Sequence, residues 1–158
     1  MAKLQIRKVG DEVLRKVCRP VEEITPRVLT LLDDMTETMR AANGCGLAAV
    51  QVGVLRRVVV IEVEEGEVIE LINPRIVAKS GEQQETEGCL SLPDKWGITR
   101  RPAAVVVRAQ NRKGEEVEIR GTELLARALC HEIDHLDGHL FTDRVVRSLS
   151  KKEMRELQ

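Results

Sequence analysis

The stretch His131-Glu132-Ile133-Asp134-His135 constrains the fold of this chain more than any other. Residues four apart on an α-helix lie on one face, one turn above the other, so two imidazoles at this spacing can reach a single metal ion. The glutamate between them is placed where its carboxylate can accept a proton from water. All three histidines of the chain fall between positions 131 and 139. The pattern therefore predicts a metal-binding helix with a general base.

The residues around this stretch favour a helix on independent grounds. Thr122 is suited to the N-cap, and Glu123 lies in the first turn, where the helix dipole favours negative charge. Gly138 is placed to end the helix. The same motif also arises by chance on helices whose histidines face solvent, but a helix argued separately makes metal binding the better interpretation.

Two imidazoles do not complete a catalytic metal site, which usually takes three protein ligands. His139 is nearest in sequence, but Gly138 is expected to break the helix before it, and Phe141 occupies the place of the third histidine in metzincin-type proteases. Glu87-Gly88-Cys89-Leu90-Ser91 is the better source, because a thiolate is a strong ligand and a preceding glycine permits close approach. A metal-dependent peptidase with a downstream third ligand is the alternative enzyme.

The length and net charge of the chain limit the classes of protein to which it can belong. The 158 residues predict a single domain spanning residues 1–158, long enough to bury a core. A net charge of −1 gives no basic field, so no direct sequence-specific nucleic-acid binding is expected. No apolar run approaches the ~20 residues of a membrane span, and no secretory signal is expected. The four cysteines are far apart and form no C-x-x-C pair, which fits the reducing cytoplasm.

The pattern elsewhere predicts helices separated from hairpins of strands. Thr25-Pro26 opens a helix that Asn43-Gly44 ends. Apolar segments flank turn signals at residues 64–67 and 111–114, which predicts two hairpins. Asn73-Pro74 is expected to interrupt the strand after the first of these turns.

The two ends of the chain complete the predicted fold. The lead-in to the first helix is expected to be irregular, with Val13, Leu14 and Val17 as apolar anchors, whereas Ser150 and Glu153 form a capping box that opens a short basic helix. Hairpins with separate helices imply the α+β class. We expect antiparallel β-sheets packed around a central metal-binding helix, with an N-terminal helix and a short C-terminal helix.

A small, glycine-rich and uncharged stretch at residues 44–53 is a second functional candidate. Such a loop can bring its backbone against a ligand, and Gln51 is its strongest side-chain hydrogen bonder. It lacks the Gly-Lys-Ser/Thr ending of a phosphate-binding loop. A tight turn between helix and strand explains the same residues equally well.

Three motifs stand in order along the chain: Gly44-Cys45-Gly46-Leu47-Ala48-Ala49-Val50-Gln51, Glu87-Gly88-Cys89-Leu90-Ser91 and His131-Glu132-Ile133-Asp134-His135. Together they resemble the peptide deformylase family, in which G-x-G-L-A-A-x-Q is followed by E-G-C-L-S and H-E-x-D-H. The resemblance covers nearly the whole chain. It implies a metal-dependent hydrolase that removes the N-formyl group from the N-terminal formylmethionine of newly synthesised proteins and releases formate.

The resemblance implies a role for each motif residue. Glu132 becomes the general acid/base, while the Gln51 side chain and the backbone N–H of Leu90 become donors to the formyl oxygen as it gains negative charge. The implied metal ligands are Cys89, His131 and His135, and the implied substrate-binding residues are Gly44, Cys45, Gly46, Gly88 and Leu90.

The implied cofactor and partners also follow from the resemblance. Ligand type alone suggests zinc, whereas the family implies one divalent metal ion, Fe²⁺ in the cell, with Zn²⁺ or Ni²⁺ able to occupy the site. The substrates would be N-formylmethionyl nascent polypeptides in the cytoplasm, with no membrane partner. The ribosome near the exit tunnel is a candidate partner for the C-terminal helix. A deformylase-like binding module without turnover is the non-enzyme alternative, and the intact Glu132 and Gln51 argue against it.

Three residues depart from the usual family pattern. Cys45 replaces a larger aliphatic residue that borders the pocket for the methionine side chain, so a wider pocket is expected. Cys130 stands where glutamine is common and is expected to be buried and not a fourth ligand, since one residue along a helix turns by about 100°. Trp96 stands where relatives often carry a polar or basic residue that meets the substrate chain.

Overall fold

The structure, a computed structural model, describes residues 2–157 and has the predicted α+β composition with antiparallel sheets. Three α-helices and eight strands are found in this range. The helices are α1 (Pro26–Ala41), α2 (Glu123–Leu136) and α3 (Lys151–Leu157). The strands are β1 (Gly46–Ala48), β2 (Val58–Ile61), β3 (Ile69–Ser80), β4 (Gln83–Cys89), β5 (Leu92–Arg101), β6 (Ala104–Gln110), β7 (Glu116–Thr122) and β8 (Val145–Leu149).

The strands form two antiparallel sheets. One has five strands in the order β1-β2-β3-β6-β7, and the other has three in the order β4-β5-β8. The two predicted hairpins are present as β2–β3 and β6–β7. The β4–β5 hairpin, which carries the cysteine motif in its turn, had no counterpart in the sequence-based expectation.

The five-stranded sheet is covered by a helix on each face. Val59 and Ile61 of β2 belong to the buried cluster that includes α2 residues such as Leu129. Val58 and Val60, which point the opposite way, belong to the cluster that contains Met35 of α1 and its neighbours. Because successive side chains of a strand face opposite sides, an all-apolar strand of this kind must be buried on both. The burial of β2 therefore fixes α1 and α2 on opposite faces.

The first helix follows its sequence signals closely. Thr25 has the extended backbone of an N-cap and is followed by proline at the first helical position, although its side chain makes no capping hydrogen bond. The helix ends at Ala41, and Asn43 has a φ of 58° that turns the chain away. Its buried apolar residues are Leu32, Met35 and Met39.

Two expectations for the sheet and lead-in are wrong. Asn73-Pro74 does not interrupt the strand; β3 continues through a register shift between Ile72 and Arg75. The proline lies within this irregularity, where a missing N–H is tolerated, and the Asn73 side chain bonds both the N–H and the C=O of Val21 at 2.8 Å.

In the lead-in, Leu14 is buried as expected, but Val17 is 65% exposed and anchors nothing. A single 3₁₀ turn at Glu12–Arg15 explains the difference, because it directs Leu14 inward.

The C-terminal capping box is present as predicted. The Glu153 N–H donates to Ser150 Oγ at 3.1 Å, and the Ser150 N–H donates to Glu153 Oε1 at 3.3 Å. The start of α3 is therefore capped by Ser150, which precedes the helix, and by Glu153 in its first turn. None of the helices within residues 2–157 is long and apolar enough to cross a membrane.

Candidate metal centre and active site

Helix α2 carries two histidines whose rings meet in the interior. His131 and His135 are 6% and 0% exposed, and their Nε2 atoms lie 3.2 Å apart. Four-residue spacing stacks the two side chains one turn apart, as the sequence predicted. The helix is held there by its opposite, apolar face, which packs on the five-stranded sheet.

The third member of the group comes from the end of β4. Cys89 Sγ lies 3.4 Å from His135 Nε2, and the ligand atoms of Cys89, His131 and His135 all lie within 4.8 Å of one another. A register shift between Gly88 and Cys89 starts the tight turn into β5, so the thiol is presented at the tip of the hairpin. His139 is not part of this group, because its side chain is 49% exposed and lies 3.8 Å from Asp143.

A buried carboxylate orients the first histidine. His131 Nδ1 lies 2.5 Å from Glu87 Oε1, a hydrogen bond in which the ring N–H donates. This bond fixes the ring and leaves Nε2 directed at Cys89 and His135, an arrangement typical of metal-binding histidines. The sequence placed Glu87 in a motif but gave no sign of this contact.

A buried arginine in turn holds that carboxylate. Arg101 donates to Glu87 Oε1 at 2.7 Å and to Asp134 Oδ2 at 2.6 Å, and Thr99 Oγ1 donates to Glu87 Oε2 at 2.6 Å. Burial opposes the charged form of Glu87, but the hydrogen bonds from His131 and Arg101 outweigh this effect and lower the pKa of Glu87 to about 2. Glu87 is therefore a fixed negative charge behind the histidine.

The general-base candidate is buried beside the group. Glu132 is 4% exposed, and its Oε1 finds no hydrogen-bond partner in the described part of the chain. Burial raises the pKa of Glu132 to about 7, although the nearby positive charge of His131 opposes the shift. A carboxyl group in this state can both accept and release a proton near neutral pH.

The two histidines differ in their tendency to take a proton. Burial lowers the pKa of His135 well below its usual value, and the charge of His131 lowers it further. Burial also tends to lower the pKa of His131. The negative charge of Glu132 and the hydrogen bonds to Cys89 and Glu87 outweigh this effect and raise the pKa of His131 above its usual value. These shifts make His135 a neutral ring with a nitrogen lone pair available.

The donor set fits a divalent metal ion. One thiol and two imidazole nitrogens converge within 4.8 Å, which suits zinc and other first-row metals. The unpartnered, buried Glu132 Oε1 gives the group a polar neighbour with spare bonding capacity. A convergence of this kind, with ring nitrogens facing one another, is otherwise costly to bury.

The glycine-rich loop directs one amide toward the cysteine. Residues Ala49–Val52 form a 3₁₀ turn, and Gln51 within it is 1% exposed. The Gln51 Oε1 accepts from the Ala48 N–H at 2.9 Å, so Nε2 points the other way, donating to Ser91 Oγ at 3.1 Å and lying 3.6 Å from Cys89 Sγ. The stretch is thus both a tight turn and a loop that faces the site.

A cavity of about 640 Å³ joins the three motifs. Cys45 is exposed on its wall, whereas Cys130 is buried, as expected, and is not one of the three converging residues. Burial raises the pKa of Cys130 to about 11, which makes it an inert thiol. The expected site residues on the cavity wall are Gly44, Cys45, Gly46, Gln51, Gly88, Cys89, Leu90, His131 and Glu132.

Trp96 forms part of the same wall and depends on Gly88. A Cβ added to Gly88 would lie 2.9 Å from Trp96 Cδ1 and 3.1 Å from its Nε1. The two residues are paired across the β4–β5 hairpin. Only glycine therefore lets the indole approach the backbone beside Cys89.

The fold and the site together define a hydrolase of the H-E-x-x-H class whose Cys/His/His group can hold a metal ion. The family model described as polypeptide deformylase matches residues 3–151, and the chain belongs to this family. As a member, it is a hydrolase that removes the N-formyl group from newly synthesised polypeptides.

Individual relatives give the same result. The peptide deformylase of Acetivibrio thermocellus is 62% identical over 154 residues, covering 98% of this chain and 90% of the relative. That of Thermoanaerobacter pseudethanolicus is 54% identical over 158 residues, covering 100% and 99%.

Solved structures agree with the sequence relatives. A crystal structure of a peptide deformylase from Legionella pneumophila has a TM-score of 0.88 at 42% identity, covering 98% of this chain and 90% of that one. The enzyme from Ehrlichia chaffeensis, in complex with actinonin, has a TM-score of 0.89 at 39% identity, covering 99% and 94%. The predicted family is thereby confirmed, as is the α+β class with antiparallel sheets and three helices.

Proposed function

We propose that residues 1–158 act as one catalytic domain in the cytoplasm, and that deformylation takes place in the cavity beside α2. The observation that carries this proposal is the convergence of Cys89 Sγ with the His131 and His135 Nε2 atoms. Cys89 and His131 line that cavity, and His135 is buried directly behind them. Glu132 and Gln51 line the same cavity. A metal site, a proton carrier and a hydrogen-bond donor thus face one space large enough for a peptide terminus.

Cys89, His131 and His135 would hold one divalent metal ion, with α2 as the metal-binding helix at the centre of the two sheets. We assign Fe²⁺ as the metal in the cell, with Zn²⁺ and Ni²⁺ as competent substitutes, since a thiolate and two imidazoles suit all three. When bound, the ion would acidify water and polarise the formyl carbonyl.

Glu132 would move the proton that the reaction requires. Its buried carboxylate accepts a proton from the attacking water and later gives it to the departing nitrogen. The formyl C–N bond breaks, the water oxygen is retained in formate, and the peptide leaves with a free amine. The raised pKa of Glu132, about 7, suits a group that must perform both transfers.

Gln51 and Leu90 would stabilise the negative charge that develops on the formyl oxygen. The Gln51 carboxamide is preoriented, because its oxygen is occupied by the Ala48 N–H and its nitrogen therefore faces the cysteine turn. The backbone N–H of Leu90 lies in that turn. Preoriented donors of this kind are typically worth ~10²–10³ in rate each.

The formylmethionine end of the nascent chain would lie along the cavity wall. Gly44, Gly46 and Gly88 offer backbone without side chains, and the Leu90 side chain lies against Gly44, where an added Cβ would be 2.5 Å from Leu90 Cδ1. The exposed Cys45 thiol would border the methionine side chain.

Two assays on one preparation test the function. Protein purified anaerobically with Fe²⁺ should release formate from formyl-Met-Ala-Ser and leave an unblocked peptide intact. Endopeptidase cleavage without formate release would favour the peptidase alternative. Stoichiometric metal with neither activity would favour a binding module.

We further propose that α3 docks on the ribosome near the exit tunnel. Lys151, Lys152 and Arg155 are exposed on this short helix. Leu149 precedes it in β8 and is buried, so deletion from residue 149 would damage the sheet as well. Reversal of the three charges to glutamate should weaken salt-sensitive ribosome pelleting and spare activity on free peptides. Unchanged pelleting would make the helix an ordinary solvated surface.

A further inference from the structure

A segment near the N-terminus without regular secondary structure, Arg7–Val9, bridges the two turns that surround the proposed reaction site. The Arg7 N–H donates to the Gln51 carbonyl at 2.7 Å, and the Val9 N–H donates to the Ser91 carbonyl at 2.7 Å. Two main-chain amides of one short segment therefore hold the glycine-rich turn and the cysteine turn together.

The residue between them adds a side-chain contact. Lys8 Nζ donates to the Leu90 carbonyl at 3.2 Å, and Lys8 lines the cavity. The two turns also touch directly, through the bond from Gln51 Nε2 to Ser91 Oγ at 3.1 Å. The segment, the Gln51 turn and the Leu90–Ser91 turn thus form a closed ring of hydrogen bonds.

We propose that Arg7–Val9 is a positioning segment that sets the separation of the Gln51 carboxamide and the Leu90 N–H. The inference rests on the proposed role of those two groups as donors to the formyl oxygen. Donors of this kind act only when held where the charge develops, and an error of 1 Å can cost ~10² in rate. Gln51 and Leu90 lie 39 positions apart in the sequence, on separate turns, so their spacing must come from tertiary contacts.

Two variants loosen the segment in different ways. Val9→Pro removes the N–H that bonds Ser91, and the 43% exposure of Val9 leaves room for the ring. Lys8→Met removes the ammonium group and keeps most of the stem. Each should lower kcat about tenfold while KM stays within about twofold, since transition-state stabilisation is lost and substrate contacts are kept. Metal content should be unchanged, and Lys8→Arg should restore most of the rate.

Two controls separate positioning from general stability. Lys3→Met alters an exposed residue of the same N-terminal stretch and should change nothing. Thr38→Val removes the α1 hydroxyl that accepts a hydrogen bond from the Leu4 N–H. Leu4 belongs to the same N-terminal stretch but lies away from the two turns. Thr38→Val should lower Tm and leave kcat unaltered at temperatures where the protein is folded.

A double variant decides whether the segment acts through the donors. In a Gln51→Ala background, Val9→Pro should cost much less than it does alone, because the group it positions is already gone. The proposal would be overturned if the kcat losses of Gln51→Ala and Val9→Pro were additive in the double variant, or if the kcat losses followed the decrease in Tm. If Gln51→Ala alone keeps full kcat, the donor assignment itself fails. If Gln51→Ala is slow but folded Val9→Pro and Lys8→Met are not, only the positioning role fails.

Discussion

Gly46→Ala tests how closely the site depends on the placement of Glu132. An added Cβ at Gly46 would lie 2.5 Å from Glu132 Oε2 and 3.0 Å from its Cδ and Cγ. Gly46 has no left-handed φ, so the backbone itself accepts alanine. The substitution therefore displaces the carboxylate that we propose transfers the proton, and does so by steric overlap alone.

The displacement of the Glu132 carboxylate can be estimated from these distances. Ordinary contact begins at 3.4 Å, so the Glu132 oxygen must move by about 0.9 Å to relieve the overlap. A displacement near 1 Å at a proton-transfer group costs ~10² in rate, which corresponds to about 2.7 kcal/mol in the activation barrier. The methyl group adds only one carbon, so the loss of folding stability should stay within the usual overpacking range of about 1–3 kcal/mol.

Steady-state kinetics and metal analysis check this prediction. We expect kcat on formyl-Met-Ala-Ser to fall about a hundredfold, with metal stoichiometry retained. Gly97→Ala is the matched control, since its Cβ would meet Val145 methyl groups at 2.8 and 2.9 Å on β8 and not the cavity. It should lower Tm to a similar extent while kcat stays near that of the unmodified protein.

The reasoning fails if Gly46→Ala is as active as the unmodified protein with a lowered Tm, because the overlap would then be relieved without moving the carboxylate. It also fails if the metal is lost, because the effect would then act through the histidines. A fall in kcat that Gly97→Ala reproduces would show that packing strain, not Glu132 placement, is responsible.

The remaining predictions concern ligands, proton transfer, substrate preference and pH. Cys89→Ala should lose the metal and His139→Ala should keep it; elemental analysis showing the reverse would reject the ligand assignment. Glu132→Gln should retain stoichiometric metal yet lose nearly all deformylation, and near-normal turnover would contradict its role. Cys45→Ile should raise the kcat/KM preference for formyl-Met over bulkier first residues by roughly tenfold, whereas an unchanged ratio with a lower Tm would place Cys45 in the core. Because its folded pKa is lowered to about 2, Glu87 stabilises the fold above pH 4.5 and ceases to do so as the pH falls toward 2. Urea unfolding of metal-free Glu87→Gln should therefore show a deficit of up to about 3 kcal/mol at pH 7 that shrinks below pH 4.5, and a pH-independent deficit would argue against the charge.

The parts of the fold that sequence predicted are those with local signals. Thr25-Pro26 and Thr122 mark helix starts, and the hairpin turns at residues 64–67 and 111–114 lie between apolar strands. Each of these signals depends only on near neighbours in the chain. The histidine spacing belongs to the same kind, because four residues of one helix suffice to define it.

The β4–β5 hairpin was not predicted because its strands are largely polar. β4 reads QQETEGC and buries only Glu87 fully, and Pro93, Asp94 and Lys95 of β5 are exposed. Neither strand shows the apolar alternation by which strands are recognised. β5 pairs with β4 in a tight hairpin and, on its other edge, with β8, whose residues lie far away in the sequence.

Because β5 was not predicted, the role of Arg101, which holds Glu87, was not predicted either. Arg100 and Arg101 are neighbours of identical chemistry, yet Arg100 is exposed and pairs with Glu82 at 2.8 Å, while Arg101 is 4% exposed. Side chains alternate along a strand, so once β5 exists one arginine must face α2 and the other solvent.

An inward arginine is tolerable only if its charge is compensated, because an unpaired buried charge costs several kcal/mol. Glu87 and Asp134 supply that compensation from β4 and α2. Asp134 follows Glu132 by two positions in the histidine motif, so its place there has a structural reason distinct from catalysis: it fixes Arg101, which fixes Glu87, which fixes the ring of His131. Strand register therefore determines the orientation of a proposed metal ligand two contacts away, and no local motif contains that information.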